Sequence, residues 1–267
     1  MDGTLVLGDR KNHGLKPLPG ALEFIHWLRA RALPFVLYTN GTTRTPAQYA
    51  ATMRQLGFDL APDQLLTPAS SAADVFRRRG YRRVLVLGTD GLIDPIAAAG
   101  MEIVPPVGKP MADAVLAGWF REFTMDNLEA ACHAVWGGAR LYSCSQSLYF
   151  ATADGRAIGT SRAISAMIRD LTGARVSIVG KPSLDALRSA GHRLGVKLRE
   201  LAVIGDDPSL EIPMAHRGGA LAIAVNTGIG DTDAFAQLPP AKRPHITVNG
   251  IDELLALCRQ VTKEGRK

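Results

Sequence analysis

Short apolar runs alternate with helix-like segments along most of this chain. Residues 84–87 and 201–204 are apolar throughout. Runs of that length suit buried strands and are too short for buried helices. Other segments carry apolar residues at helical spacing, as at Leu184, Leu187 and Leu194, and a further helix is predicted from Pro68 to Arg79. Strands that alternate with helices in this way predict an α/β fold with a doubly wound parallel sheet.

The alternation restarts near residue 82 and predicts a second α/β unit. A strand at 84–87 and a weakly patterned strand at 114–116 belong to it. We predict that residues 82–174 form an α/β domain inserted into a core domain of residues 1–81 and 175–267. A chain of 267 residues is long enough to give each domain its own apolar core.

The composition favours an ordinary soluble globular protein. Hydrophobic residues make up 46% and charged residues 21% of the chain, and no apolar run approaches the ~20 residues that span a bilayer. The three cysteines, Cys132, Cys144 and Cys258, have no paired spacing, which favours reduced thiols over a disulfide framework. We therefore expect a cytoplasmic protein with no membrane partner.

The net charge of +6 and the isoelectric point near 9.4 raise the question of an anionic partner. The densest basic run, residues 77–79 with Arg82 and Arg83, surrounds a Gly-Tyr turn at a predicted helix end. Arginines at that position suit the helix dipole and the solvent. No recognisable nucleic-acid-binding motif accompanies them. We therefore expect no nucleic-acid partner.

Four polar side chains stand at the ends of predicted strands: Asp2, Thr39, Lys181 and Asp206. In an open α/β sheet, ligands gather at the carboxyl ends of the strands. Carboxylates are hard oxygen ligands that suit Mg2+, whereas a lysine neutralises phosphate charge and a hydroxyl orients phosphoryl oxygens. This combination of two acids, a hydroxyl and a cation predicts phosphoryl-transfer chemistry.

The sequence around these residues resembles, in sequence order, the four motifs of the haloacid dehalogenase-like (HAD-like) phosphatases. The matching segments are Asp2-Gly3-Thr4, Thr39-Asn40, Lys181 within Gly180-Lys181-Pro182-Ser183, and Gly205-Asp206 with Glu211. Their order and spacing extend over almost all of the chain. The resemblance implies a Rossmann-like HAD core and an enzyme that hydrolyses phosphoric monoesters.

The inserted domain is similar to the large C2-type α/β cap of HAD subclass IIA, which contains p-nitrophenyl phosphatases, nucleotide monophosphatases and phosphoglycolate phosphatase. The segments that carry this match are Thr39-Asn40 with Arg44-Thr45-Pro46, Arg121-Glu122-Phe123-Thr124 and residues 179–183. The resemblance implies a Mg2+-dependent phosphatase that acts on a small phosphorylated metabolite through an aspartyl-phosphate intermediate. It also allows a homodimer formed through the cap.

The resemblance assigns roles in catalysis and substrate binding to four residues. Asp2 would be the general acid/base that protonates the leaving group and later activates water. Thr39 would hold the phosphoryl group, with Asn40 beside it as a further substrate-binding residue. Lys181 would bridge the phosphate and the nucleophile.

The resemblance also implies a metal site made by four acidic residues. The main-chain carbonyl of Asp2 and the carboxylate of Asp206 would bind Mg2+. Asp207 and Glu211 would be supporting acids near the metal. The family usually has Asp at the position of Glu211, and the longer side chain of Glu211 can still reach a metal-bound water.

The first motif of the family reads Asp-x-Asp-Gly-Thr, and Met1 would fill its x position. We therefore expect the nucleophilic Asp to lie just upstream of Met1, and the chain as given to be inactive as a phosphatase. The alternative is a non-catalytic phospholigand-binding or regulatory protein on the same fold. A family dehalogenase is a weaker third reading, because dehalogenases normally lack the large cap. Translating the DNA upstream of the first codon would separate the enzyme from the binding protein.

Three further residues invite functional interpretations. Lys109, in a second Gly-Lys-Pro, competes with Lys181, but it lies inside the inserted domain and fits a solvated loop lysine. Cys144 has no assigned base and no strand-to-helix turn around it, which favours a structural thiol. Arg162 starts a predicted helix and is equally compatible with an anionic substrate and with solvent.

Overall fold

Helices alternate with mostly parallel strands in the computed structural model, which describes residues 1–8, 14–152 and 155–264. The helices are α1 (Ala21–Ala30), α2 (Pro46–Gln55), α3 (Pro68–Arg79), α4 (Asp90–Ala98), α5 (Met125–Trp136), α6 (Thr160–Thr172), α7 (Leu184–Leu194), α8 (Glu211–Gly218), α9 (Thr232–Ala236) and α10 (Ile251–Glu264). The strands are β1 (Val6–Leu7), β2 (Lys16–Pro17), β3 (Leu37–Tyr38), β4 (Leu65–Leu66), β5 (Arg83–Leu87), β6 (Glu102–Val104), β7 (Ala114–Ala117), β8 (Arg140–Ser143), β9 (Tyr149–Thr152), β10 (Gly155–Ile158), β11 (Val176–Ile178), β12 (Ala202–Gly205), β13 (Leu221–Val225) and β14 (Ile246–Val248). The predicted α/β class is confirmed.

The described residues form two compact units, each with its own parallel sheet. The first unit consists of Met1–Leu37, Ala50–Gln64 and Ala190–Lys267, and the second of Tyr38–Tyr49 and Leu65–Ser189. The predicted inserted domain, 82–174, falls inside the range of the second unit. Its boundaries stay a prediction.

The sheet of the first unit has the strand order β12–β13–β14, with all strands parallel. Helix α8 connects β12 to β13 and packs against both. Because β12 and β13 run in the same direction, their carboxyl ends lie at one edge of the sheet. In the same unit, the first helix, α1, packs against the last helix, α10.

The sheet of the second unit has the strand order β11–β8–β7–β5–β6, again parallel throughout. Alternate residues of β5 enter two different apolar clusters: Val84 and Val86 join one, and Leu85 and Leu87 join the other. Successive side chains of a strand point to opposite faces, so both faces of this sheet are covered. Phe76 fills the first cluster and packs edge-on against Tyr142, with ring centroids 5.0 Å apart.

Strand β7 occupies the centre of this sheet, although its sequence pattern is weak. All four residues of Ala114–Ala117 are fully buried. Two of the four are alanines, which give little hydrophobic signal in a sequence but pack closely between covering helices. The central position therefore follows from tertiary packing, which a propensity pattern does not contain.

Several short elements were missing from the sequence prediction. They are the antiparallel pairs β1–β2 and β9–β10, strands β4 and β6, and the short helix α9. Elements of two to five residues are too short to show a clear periodic pattern, so periodicity detects them poorly. The long elements agree well: the prediction of a helix from Pro68 to Arg79 matches α3 at both ends.

Two compositional expectations can also be compared with the fold. Cys132, Cys144 and Cys258 are free thiols, as their spacing predicted. Among the described residues, no helix combines the length and the apolar character needed to cross a bilayer. The buried Cys132 and Cys144 pack as small apolar side chains in the two clusters of the second unit.

Thr124 begins α5 with a reciprocal cap. The Asn127 N–H donates to Thr124 Oγ1 (3.2 Å), and the Thr124 N–H donates to Asn127 Oδ1 (3.0 Å). We expect Thr124→Ala to lower the free energy of unfolding by about 1 kcal/mol in urea titrations, because the cap hydroxyl is lost. Thr124→Ser keeps the hydroxyl and should retain most of the stability. Equal losses in both variants would contradict the assigned cap.

Candidate active site

The segment from Met1 to Val6 forms a tight loop in the first unit. The Gly3 N–H donates to the Val6 carbonyl (2.9 Å), and the Leu5 N–H donates to the Met1 carbonyl (2.9 Å). Gly3 has a φ of +71°, in the left-handed region that glycine tolerates best. The loop carries Asp2 at its start and turns Thr4 inward, where it is only 3% exposed.

Asp206 follows β12 and lies in a tight cradle formed by the first loop and the loop after β13. Its Oδ1 accepts a hydrogen bond from Thr4 Oγ1 (2.9 Å), and its Oδ2 accepts one from the Ile229 N–H (3.0 Å). A Cβ on Gly3 would lie 2.6 Å from Asp206 Cγ, and one on Gly228 would lie 2.5 Å from it. Carbon atoms in contact normally stay about 3.5–4.0 Å apart, so both positions require glycine.

A further hydrogen bond ties the same two loops together. Thr227 Oγ1 donates to the Gly3 carbonyl (2.5 Å). The end of β13 therefore holds the first loop by its main chain, while Asp206 holds it through Thr4. The sequence-predicted residues Asp2 and Asp206 are thus brought into one part of the first unit.

The cradle concentrates negative charge in a buried setting. Asp206 and Glu211 are each only 5% exposed. Burial raises the pKa of the Asp206 carboxyl; the hydrogen bond from the Ile229 N–H opposes the rise, and the charge of Glu211 adds to it. Oδ1 of Asp2 is buried and accepts no hydrogen bond from the described residues. A group that brought positive charge would stabilise these carboxylates.

Asp207 has a different environment. Its Oδ1 accepts hydrogen bonds from the Ser209 N–H (2.7 Å) and from Ser209 Oγ (2.6 Å). These bonds shape the turn that leads into α8. Within the described residues, no group of three or more His, Cys, Asp or Glu side chains is arranged to hold a metal ion. The four-acid metal set therefore stays a prediction.

Thr39 lies at the end of β3 in the second unit and is 4% exposed. Its N–H donates to the Leu66 carbonyl (3.1 Å), which continues the pairing of β3 with β4. Its Oγ1 accepts a hydrogen bond from the Gly41 N–H (3.1 Å). Because that bond uses a lone pair, the hydroxyl proton of Thr39 can still be donated to an anion.

Lys181 follows β11 in the same unit and is 7% exposed. The side-chain amide of Asn40 pairs with its main chain: the Lys181 N–H donates to Asn40 Oδ1 (2.9 Å), and Asn40 Nδ2 donates to the Lys181 carbonyl (3.0 Å). Ser183 directly precedes the next helix, α7, and its Oγ accepts a hydrogen bond from the Ala186 N–H (3.2 Å). Thr39, Asn40 and Lys181 thus belong to one region of the second unit.

The three further residues singled out in the sequence have ordinary structural environments. Lys109 is exposed on the loop between β6 and β7. Cys144 is fully buried, and burial raises the pKa of its thiol, which disfavours a nucleophilic thiolate. Arg162 is half-buried and donates from Nη1 to the Gln146 carbonyl (3.0 Å).

Sequence reasoning missed Thr4, Thr227, Gly228 and Ile229 as parts of the cradle around Asp206. A signal was present, because the polar turn of residues 226–228 directly follows a strand. Nothing in the sequence, however, shows that this turn contacts residues near Met1, more than 200 positions away.

Two family models match the chain. A haloacid dehalogenase-like hydrolase model matches residues 1–102, and a HAD-hydrolase-like model matches residues 178–254. Together they account for more than half of the chain and include all four motifs. The chain therefore belongs to the haloacid dehalogenase-like hydrolases, in subclass IIA, and thus to the hydrolases of phosphoric monoesters.

Individual relatives agree with this class. The ribonucleotide monophosphatase NagD of Escherichia coli is 28% identical over 242 residues, 90% of each protein, and its solved structure superposes with a TM-score of 0.82 over 95% of each chain. An acid sugar phosphatase of Staphylococcus epidermidis is 27% identical over 90% of each protein. A glycerol phosphate phosphatase from Mycobacterium tuberculosis, solved in complex with magnesium, is 27% identical, with a TM-score of 0.82 over 95% of this chain and 74% of that one.

Proposed function

We propose that this protein is a Mg2+-dependent phosphatase that hydrolyses a small phosphomonoester. The observation that carries the proposal is the cradle around Asp206 in the first unit. There, the loop of the first motif is fixed to the fourth motif by the Thr4–Asp206 hydrogen bond of 2.9 Å. A buried carboxylate held by two glycines and two donors is a costly arrangement unless a bound cation offsets its charge.

The residues present fit a magnesium ion. Asp2 Oδ1 is a buried oxygen without a hydrogen-bond donor among the described residues, and the Asp206 carboxylate is desolvated. Hard carboxylate and carbonyl oxygens are the ligands that Mg2+ prefers, usually one or two carboxylates with water and substrate oxygens. The main-chain carbonyl of Asp2 and the carboxylate of Asp206 would hold the ion, with Asp207 and Glu211 supporting it. Mg2+ would stabilise negative charge on the transferring phosphoryl group.

Three residues of the chain would transfer protons and bind the phosphoryl group. Asp2 would give a proton to the leaving-group oxygen and later take one from water. Thr39 would donate its hydroxyl proton to a phosphoryl oxygen, and Lys181 would neutralise phosphate charge from a buried position. In the family, the nucleophile that forms the aspartyl-phosphate is the Asp two residues before Asp2.

The substrate is proposed only as a small phosphorylated metabolite. The relatives named above act on ribonucleotide monophosphates, sugar phosphates and glycerol phosphate, which share the phosphomonoester but not the leaving group. The residues assigned above act on the phosphoryl group and on the leaving-group oxygen, and all of these substrates contain both.

The test uses an extended form of the protein, which carries an Asp directly before Met1 at the end of a preceding apolar strand. We expect this form to hydrolyse p-nitrophenyl phosphate, and we expect EDTA to remove this activity and Mg2+ to restore it. Asp2→Asn in the extended form should lower kcat on the order of 10²-fold, because the leaving group loses its proton donor.

Two results would count against the proposal. Hydrolysis by the extended form that EDTA leaves intact would remove the role of the metal. Binding of inorganic phosphate without turnover of any phosphomonoester in the extended form would instead favour a phospholigand-binding protein on the same fold.

A further inference from the structure

The side chain of Asn40 forms two hydrogen bonds with the main chain of Lys181. Both polar ends of its amide take part: Oδ1 accepts from the Lys181 N–H at 2.9 Å, and Nδ2 donates to the Lys181 carbonyl at 3.0 Å. The two bonds grip the peptide groups on both sides of the Lys181 Cα. They therefore set the direction in which the Lys181 side chain leaves the main chain.

We propose that Asn40 is a positioning residue, whose amide fixes the main chain of Lys181 so that the buried ammonium reaches the phosphoryl group. This inference rests on the proposed function and deepens it. The family resemblance alone made Asn40 a substrate-binding residue. The contacts assign it a different part, because it acts on the phosphate through Lys181.

Close packing around Gly180 further restricts the main chain that the Asn40 amide holds. A Cβ at Gly180 would lie 2.8 Å from Asn40 Oδ1 and would collide with the Cys144 carbonyl. The main chain before Lys181 therefore packs closely against both the Asn40 amide and the main chain of Cys144, just after β8. Cys144 is itself fixed, since its N–H donates to the Ala117 carbonyl at 2.9 Å.

The chain beyond Lys181 is also held. Ser183 Oγ donates to the Val179 carbonyl (3.0 Å), and the Ser183 N–H donates to the Gly180 carbonyl (2.9 Å). These bonds close a turn that contains Lys181, and the Asn40 side chain connects this turn to the turn after β3. Thr39 and Lys181 are then carried by two loops that the Asn40 amide joins.

A fixed main chain matters because of the chemistry of lysine. The side chain has four flexible carbons, and its ammonium acts as a point charge without a preferred hydrogen-bonding plane. Its interaction with a phosphate therefore depends on where its Cα is placed. Displacement of a charged group by about 1 Å can cost a large factor in a preorganised site.

The test is a double-mutant cycle read by isothermal titration with inorganic phosphate in the presence of Mg2+. The variants are Asn40→Ala, Lys181→Ala and the double variant, all in the 267-residue chain. We expect Asn40→Ala to weaken phosphate binding about tenfold, as second-layer residues do at metal sites. In the Lys181→Ala background, the same substitution should change the dissociation constant by less than about twofold, because the group that it positions is gone.

Asn127→Ala is the matched control. Asn127 also pairs its amide with the main chain, accepting from the Thr124 N–H (3.0 Å) and donating to the Pro106 carbonyl (3.1 Å), and it has no assigned role in phosphate binding. It should lower the melting temperature about as much as Asn40→Ala and leave phosphate affinity unchanged. This separates a loss of stability from a loss of positioning.

Three outcomes would contradict the inference. If Asn40→Ala weakens phosphate binding by the same factor with and without Lys181, Asn40 contacts the phosphate directly and the inference is wrong. If Lys181→Ala weakens binding but Asn40→Ala does not, the inference fails and the proposed function stands. If Lys181→Ala leaves phosphate affinity unchanged, the role that the proposed function gives to Lys181 is wrong, and the inference fails with it.

Discussion

Replacing Gly3 with alanine is expected to abolish phosphomonoester hydrolysis by the extended form and to lower the free energy of unfolding by about 2–5 kcal/mol. Two effects add. The φ of +71° is unfavourable for an L-residue with a Cβ. The new methyl group would also lie 2.6 Å from Asp206 Cγ, so the carboxylate or the loop must move. Either movement would separate Asp206 from its Thr4 hydrogen bond.

Gly219→Ala is the matched control, because it lies in the same unit and has nearly the same backbone conformation. Its φ is +67°, and no atom lies within 4 Å of the position that a Cβ would take. We expect a loss of about 1–2 kcal/mol from the backbone alone and little change in activity. Urea unfolding and p-nitrophenyl phosphate assays measure both quantities. Equal stability losses in the two variants, with activity retained in both, would contradict the cradle.

Replacing Lys181 with alanine is expected to lower kcat/KM for p-nitrophenyl phosphate by about 10³-fold in the extended form. The buried ammonium would stabilise the charge of the transferring phosphoryl group, and removal of one such preorganised group typically costs 10²–10³-fold, about 3–4 kcal/mol. Burial excludes the water that would otherwise screen this charge. Steady-state kinetics at saturating Mg2+ is the measurement.

The chain offers a control with the same local sequence. Lys109 also stands between glycine and proline, but it is exposed on a loop. We expect Lys109→Ala to retain kcat/KM within about twofold, as surface substitutions away from a site usually do. A large loss in Lys109→Ala, with little loss in Lys181→Ala, would exchange the roles of the two lysines.

The fold was predictable wherever a local pattern is strong. The helix from Pro68 to Arg79 has a proline at its start, apolar spacing and a glycine at its end, and the structure matches it closely. Strand β12 was recognised by its apolar run. The two-residue strands β1 and β2 are defined by their antiparallel pairing with each other, so their existence depends on a contact and not on composition.

The candidate site shows the same difference between features that a local pattern indicates and features that depend on long-range contacts. Asp206 could be placed at the end of a strand because it directly follows an apolar run, but its role in the site stays a prediction. Thr4 could not be given its role, because its partner lies 202 positions away in the sequence. The family resemblance predicted Asn40 as a substrate-binding residue, but its pairing with Lys181 spans 141 positions and appears only in the folded chain.

The packing of α1 against α10 has a consequence for how the protein is made. The first unit is assembled from three separate stretches of chain, and its third stretch begins at Ala190. Synthesis on the ribosome proceeds from the amino terminus, and domains fold as units when their residues become available. The apolar side of α1, with Phe24, Ile25 and Trp27, must therefore wait until α10 has been synthesised before it can pack against that helix. We expect newly made chains that stop before α10 to expose this surface and to depend on chaperones.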